Sequence, residues 1–377
     1  MPGPSRPPGS VRTDQTVFAS APLTTPGPCA RRSRNGGYMA SPRRTTLHDV
    51  AQEVGVSAKT VSRVLNGDGP TSAATREKVM AAVEKLGFQP NLMARNMRVG
   101  GPDSTVGLII PDMGNPFFGT VAGGIESAVR ERGLTLLMGS CADDPDRERA
   151  LITTFLARRV SALMVVPAAG ADHAHLRTAR TGGMPVVFLD RPGTGLTADS
   201  VVSSNRDGAR EGTAHLIVGG HRRIAFVGDR PTTLYTRRER LAGYREALEA
   251  AHLPYDRSLV LDGHTEAEAA EAVLRVLHSP QPPTAILAAN NFAAMGTVLG
   301  MVRAGRRDIA LVSFDDLPFA EVLEPAITTV AQDPAAIGTA AAEIALARLD
   351  GDRTRARTVT VPTRLIPRGS GELPPSA

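Results

Sequence analysis

Ala58, Lys59, Thr60, Ser62 and Arg63 fall within six consecutive positions and combine side chains suited to the surface of a nucleic-acid duplex. Lysine and arginine reach guanine O6 and N7, a small alanine packs on a thymine methyl, and hydroxyls suit phosphate oxygens. A second set is scattered far along the chain: Asn115, Asp190, Arg191, Arg240, Asn290 and Asp315. Amides, carboxylates and arginine suit a polyol ligand, because each hydroxyl both donates and accepts a hydrogen bond. Phe117 and Phe118, next to Asn115, can supply an apolar wall for such a ligand.

Each set needs an element to carry it. Leu47, Val50, Ala51 and Val54 lie at i, i+3, i+4 and i+7, one apolar face of a short helix. Gly55 breaks it, and Ser57 is placed to cap a second helix in which Val61, Val64 and Leu65 face inward while Lys59, Ser62, Arg63 and Asn66 face out. A third helix starts near Ser72, buries Val79, Ala82, Val83 and Leu86, and stops at Gly87. Two short helices joined by a tight glycine turn and braced by a third make a helix-turn-helix unit. Residues 1–103 hold 14 Lys/Arg against 7 Asp/Glu, whereas the rest holds 29 against 31, so this end of the chain favours an anionic partner.

From Thr105 onward, short apolar strands (105–110, 134–138, 162–166, 185–189, 223–227, 284–288, 308–313) alternate with amphipathic or Ala-rich helical stretches. That alternation implies parallel sheets with helices on both faces. Ligands of such sheets bind beyond the carboxyl ends of the strands, where the polar candidates fall. The spacing of Asp143, Asp144 and Asp146 predicts a charged helix start.

At 377 residues the chain exceeds one hydrophobic core, so two or three domains are expected. It holds only Cys29 and Cys141 and no long uninterrupted apolar run, which argues against a disulfide-stapled or membrane-spanning protein and for a reducing compartment. Residues 1–38 carry seven Pro and five Gly without hydrophobic period, so a disordered basic tail is expected over about 1–40, with no signal-peptide h-region. Enzyme-like signals are weak. Gly193–Ala198 imitates a dinucleotide fingerprint but leads into a strand, Asp315–Asp316 lacks an activated nucleophile, and His173 and His175 are too isolated for a metal site.

The run TTLHDVAQEVGVSAKTVSRVLN, followed by TREKV and FQPNLMARNMR, resembles the headpiece of the LacI/GalR family of transcriptional regulators. The similarity continues through NPFF at 115–118, GHRRIAFVGD at 220–229, RERLAGYREAL at 238–248, FDD at 314–316 and ITTVAQD at 327–333. The resemblance implies an all-α helix-turn-helix headpiece (41–90), a hinge helix and linker (91–103), and an α/β bilobed periplasmic-binding-protein-like body (104–377) of two parallel-sheet lobes. The first lobe would hold about 104–202 and 333–351, the second about 203–332 and 352–377. Ala58, Lys59 and Arg63 become base readers; Thr46, Ser57, Thr60, Ser62 and Asn66 become phosphate or groove-edge contacts. In the hinge segment, too short to be a stable helix alone, Asn91 contacts DNA and Met97 wedges between bases of the minor groove. Asp190, Arg240, Asn290 and Asp315 are the foremost effector contacts. Asn291 stands where relatives often have Asp, and His264 or Thr265 where many have an aromatic.

The implied protein is a cytoplasmic, homodimeric, nucleoid-associated repressor. It binds a near-palindromic double-stranded operator under control of a carbohydrate effector, with no cofactor, metal or catalysis. Two rivals share the body: an exported sugar-binding protein, which needs an export signal and has no use for a helix-turn-helix, and a sugar-processing enzyme, which should turn over its ligand.

Overall fold

The computed structural model describes residues 45–67, 69–88 and 104–376. The expected tail, the hinge segment, Asn91 and Met97 lie outside the described residues. The chain divides near residue 91 into two units.

The N-terminal unit contains α1 (Leu47–Val54), α2 (Ala58–Asn66) and α3 (Ala73–Lys85). Each starts on a hydroxyl cap. Thr46 accepts from the Asp49 N–H while its own N–H donates to the Asp49 carboxylate; Ser57 caps Thr60 at 3.1 Å, and Ser72 caps Thr75 at 3.2 Å. Gly55 and Gly67 end α1 and α2 with φ of 72° and 71°, a left-handed backbone that glycine adopts without a Cβ penalty. Val50, Ala51, Val61, Val64, Val79, Ala82 and Phe88 form the core, whereas Leu65, Val83 and Leu86 are only partly buried against it.

The second unit begins with β1 (Thr105–Ile110), α4 (Pro116–Glu131), β2 (Thr135–Ser140), α5 (Pro145–Ala157), β3 (Ala162–Val165), α6 (Arg177–Thr181), β4 (Val186–Leu189) and β5 (Asp199–Ser203). It continues with α7 (Asn205–Val218), β6 (Ile224–Gly228), α8 (Tyr235–Ala250), β7 (Val260–Asp262), α9 (Glu266–Leu277), β8 (Ala285–Ala288), α10 (Asn291–Arg303), β9 (Ala310–Phe314) and β10 (Thr328–Ala331). It closes with α11 (Pro334–Leu349), β11 (Thr358–Val361) and β12 (Arg364–Ile366).

Two six-stranded sheets result, in the orders β11-β5-β4-β3-β1-β2 and β12-β10-β9-β8-β6-β7. All pairings are parallel except that of β12 with β10, so the second sheet has one antiparallel edge. The inner strands are buried on both faces, which is why they read as continuous apolar runs rather than alternating ones. Apolar clusters line both faces of each sheet. Helix α11 packs on α4 closely enough that a Cβ at Gly338 would collide with the Val121 carbonyl oxygen.

The C-terminal segment corrects one expected boundary. Residues 352–377 do not all belong to the second lobe: β11 pairs with β5 in the first sheet, and only afterwards does the chain cross to β12. Asp199 at the head of β5 draws it there, accepting from the Arg357 N–H at 3.0 Å and from two nitrogens of the Arg348 guanidinium. A Thr-Val-Thr-Val alternation suits either sheet edge, so the sequence pattern could not choose between them.

Three crossovers therefore join the lobes, at 203–205, 331–334 and 361–364. They are cross-bonded side by side. The Thr363 N–H donates to Ser204 Oγ at 2.8 Å, and the Ser203 hydroxyl donates to the Gln332 side-chain carbonyl. Among the described residues no helix is long and apolar enough to cross a membrane.

Candidate functional site

A cleft of about 610 Å³ opens between the lobes, beyond the carboxyl ends of both sheets. Asn115, Phe117, Phe118, Asp190, Arg191, Arg240, Asn290 and Asp315 all line it, although they come from five separate parts of the chain. Asp190 directly follows β4 and Asp315 directly follows β9, with φ of 62° and 77°. Each extends its parallel ladder by one bond, Asp190 N–H to Val201 O at 2.8 Å and Asp315 N–H to Val330 O at 3.0 Å. The same strained strand-end aspartate thus occurs once per lobe. Strain of this kind costs about 1–3 kcal/mol and persists only where surrounding structure enforces it.

Arg240, on α8, is buried and lies within electrostatic reach of both carboxylates. Its Nε donates to Asn205 Oδ1 at 2.8 Å and its Nη1 to the Ala289 carbonyl at 2.6 Å, while the guanidinium lies over the Phe314 ring with Cζ 3.8 Å from the centroid. Those contacts engage Nε, Nη1 and one face of the guanidinium. Burial pulls the Arg240 pKa down against the opposing pull of Asp315 and Asp190, and burial likewise holds Asp190 above the usual carboxylate range despite Arg191 and Arg240. Arg191 Nη1 donates to Asp143 at 2.7 Å and to the Pro167 carbonyl at 2.8 Å. Burial opposes its charge, but Asp143 and Asp190 outweigh it and raise its pKa.

Several lining groups lie outside the sequence-derived set. Asp144 caps α5 and Asp146 lies in its first turn, but Asp143 turns away from that helix and faces the cleft at φ 54°. Its position just past β2, with the capping task already filled by Asp144, was the available signal. Asp229, past β6, accepts from the Arg230 N–H at 2.6 Å and shares a 2.8 Å hydrogen bond with His264 Nδ1. Burial raises the Asp229 pKa; the bond to Asp229 raises that of His264. His264 and Thr265 both line the cleft. Gln332, in the second crossover, donates to the Asp315 carboxylate and ties the cleft to the crossover bundle.

Not every anticipated residue is equally available. Phe118 belongs mainly to the first-lobe core, with Phe117 packed edge-on at 5.2 Å. Asn290 Oδ1 caps α10 through the Ala293 N–H at 2.7 Å, so its amide is partly spent on the fold.

In the N-terminal unit Lys59 and Arg63 are exposed on α2, with the stem of Arg63 running beside Gly69. Ala58 is half-buried against the core rather than fully outward. Thr46, Ser57 and Thr60 already hold helix starts: Ser57 and Thr60 share a 2.9 Å hydroxyl bond in addition to the cap. Ser62 is partly exposed, and Asn66 ends α2.

Residues 46–91 match the model of the bacterial regulatory proteins of the lacI family, and residues 213–371 match a periplasmic-binding-protein-like domain. The maltose regulon regulatory protein MalI of Escherichia coli (strain K12) is 31% identical over 341 residues, covering 87% of this chain and 99% of MalI. The regulator CelR of Thermobifida fusca is 33% identical over 341 residues, covering 87% and 99%. Among solved structures, the lac repressor dimer bound to operator and the anti-inducer ONPF superposes with a TM-score of 0.76 at 27% identity, over 87% of this chain and 99% of that one. The CelR–cellobiose complex gives 0.65 at 31% identity, over 87% and 100%. With the headpiece, the two-sheet body and near-complete coverage of such relatives in agreement, the chain belongs to the lacI family of bacterial regulatory proteins, a family of transcriptional regulators and not of enzymes.

Proposed function

We propose that this regulator is a cytoplasmic, nucleoid-associated homodimeric repressor whose operator affinity is set by a carbohydrate held in the interlobe cleft. The observation that carries the reading is the cleft itself, where strand-end Asp190 and Asp315, Arg240 and Asn290 all line one space. A sugar hydroxyl set would find both donors and acceptors there. Phe117, Leu234 and Phe292 offer apolar surface for the C–H faces of a ring.

In this reading residues 41–90 read DNA, 91–103 form the hinge, and 104–377 bind effector and dimerise. Ala58, Lys59 and Arg63 contact bases, while Thr46, Ser57, Thr60, Ser62, Asn66 and Asn91 hold phosphates or groove edges and Met97 wedges the minor groove. A two-fold dimer makes the operator near-palindromic. Exposed Leu299, Val302, Phe319 and Val322 on the second lobe offer apolar surface to a partner copy, as the dimeric lac repressor structure encourages. Effector that prefers one lobe arrangement shifts the population of both sites, and operator must shift effector affinity by the same factor.

The test is a selection of bound genomic fragments by the purified protein, repeated with a panel of neutral mono- and disaccharides. A palindromic site whose binding falls steeply with salt, and which one sugar alters without being consumed, is expected. Absence of any selected sequence, or chemical conversion of the sugar, would overturn the proposal.

A further inference from the structure

The rim of the cleft carries a direct amide-to-amide bond between the lobes. Asn115 precedes α4 in the first lobe, and Asn291 opens α10 in the second. Asn291 Nδ2 donates to Asn115 Oδ1 at 2.7 Å, and Asn115 Nδ2 lies 3.4 Å from Asn291 Oδ1 in the reciprocal direction. An amide can ordinarily flip its oxygen and nitrogen, but here neither is at liberty to do so. Asn115 Oδ1 accepts from the Phe117 N–H at 3.0 Å, and Asn291 Oδ1 accepts from the Phe292 N–H at 2.9 Å. With each oxygen fixed by backbone N–H groups at its own helix start, each NH₂ must point across the cleft. Asn291 is itself buried, and its backbone N–H donates to Asp315 at 3.3 Å, which ties the pair to the floor of the cleft.

We infer that Asn115 and Asn291 are positioning residues that latch the two lobes together before any effector arrives. The latch sets how much of the free protein already has the bridged lobe arrangement. It rests on the cleft being the effector site, because an effector selecting that arrangement binds more weakly in proportion to the bridged fraction lost. An aspartate at 291 would keep an acceptor for Asn115 but lose the donor of the shorter bond, so the neutral amide makes the stronger latch in this chain.

The experiment is double electron–electron resonance on the full chain, with spin labels on Thr153→Cys in the first lobe and Glu249→Cys in the second. Cys29→Ser removes one native thiol; the other, Cys141, is buried with its pKa pushed up to about 11 and stays unlabelled. Asn291→Ala should raise the ratio of parted to bridged lobes roughly 5–30-fold, the shift carried by one or two ordinary hydrogen bonds. Asn115→Asp retains both the 2.7 Å acceptor and the cap on Phe117, and should keep the parent distribution. The double variant N115D/N291D opposes two carboxylates and should broaden it at least as much as N291A. Should N291A fail to fold, Asn115→Ala reads the same loss from the other lobe. Superimposable distributions for N291A and parent, or N115D broadened like N291A, would overturn the latch. Neither DNA nor sugar is present, so the outcome is separate from that of the operator and sugar selection.

Discussion

Replacing Arg240 by Met keeps most of the side-chain volume and removes a buried positive charge that favours the ionised form of Asp190. The substitution leaves Asn205 Oδ1 and the Ala289 carbonyl without their donor, each an orphaned buried acceptor costing about 1–3 kcal/mol. It also removes the cation–π contact over Phe314, about 2 kcal/mol when desolvated. These losses share one cause and do not add, and breaking a buried charge set by removing one member costs about 3–5 kcal/mol. Acid should reverse part of the deficit. Asp190 already has a raised pKa through burial, and without Arg240 it rises further. A carboxylate whose folded pKa lies above its unfolded value destabilises the fold above that pKa, and the penalty fades as pH falls through it. Urea unfolding at pH 7.5 and pH 5 can be followed by tyrosine fluorescence, since Tyr235, Tyr244 and Tyr255 lie in the second lobe and the chain has no Trp. A loss of about 3–5 kcal/mol at pH 7.5 that narrows as the pH is lowered is expected. A loss below about 1 kcal/mol, or one that acidification leaves unchanged, would refute the claim that the Arg240 charge and its two hydrogen bonds stabilise the cleft.

Three further outcomes follow from local geometry. Ser57→Ala removes the cap of α2 and should cost the headpiece about 1 kcal/mol, seen as roughly fivefold faster amide exchange at Val61 and Val64; unchanged exchange would mean that Thr60 or water replaces the cap. Gly338→Ala gains about 1 kcal/mol of helix propensity but forces a Cβ against the Val121 carbonyl, so the overpacking cost of about 1–3 kcal/mol should win and lower the melting temperature of the body; a stabilised variant would contradict the close α4–α11 approach. His264 should titrate above its ordinary 6.5 because it bonds to Asp229, so its contribution to stability is complete below that pH and lost as pH rises through the raised value. Imidazole NMR should place the midpoint back near or below 6.5 in Asp229→Asn, and an unmoved midpoint would show that Asp229 is not the cause.

Much of this architecture could be read from residue order because periodicity and capping report local structure. The helix-turn-helix core and the apolar strands of both sheets carry strong patterns, and the strands end near the polar residues of the cleft. What escaped were features decided by distant partners. The polar start of β5 and the three-residue β7 and β12 have too little period to stand out, and β11 is claimed by Asp199 rather than by its own pattern. Asp143 was hidden among neighbours that serve a helix start, and Gln332 reads as an ordinary turn residue until three crossovers are seen to meet around it. Ala58 shows the opposite limit: its neighbours Lys59 and Arg63 face solvent, but packing draws Ala58 half inward.

The cross-bonded crossovers act like the spine of a book. Because Ser203, Ser204, Gln332 and Thr363 hold three backbone passages abreast, sliding or twisting one lobe against the other would tear several bonds, whereas folding about the line through them disturbs few. Opening about that line is thereby the motion the crossovers resist least. Ligands of different shape would register mainly as that opening angle, so the chemistry of recognition can drift without redesign of what the molecule reports.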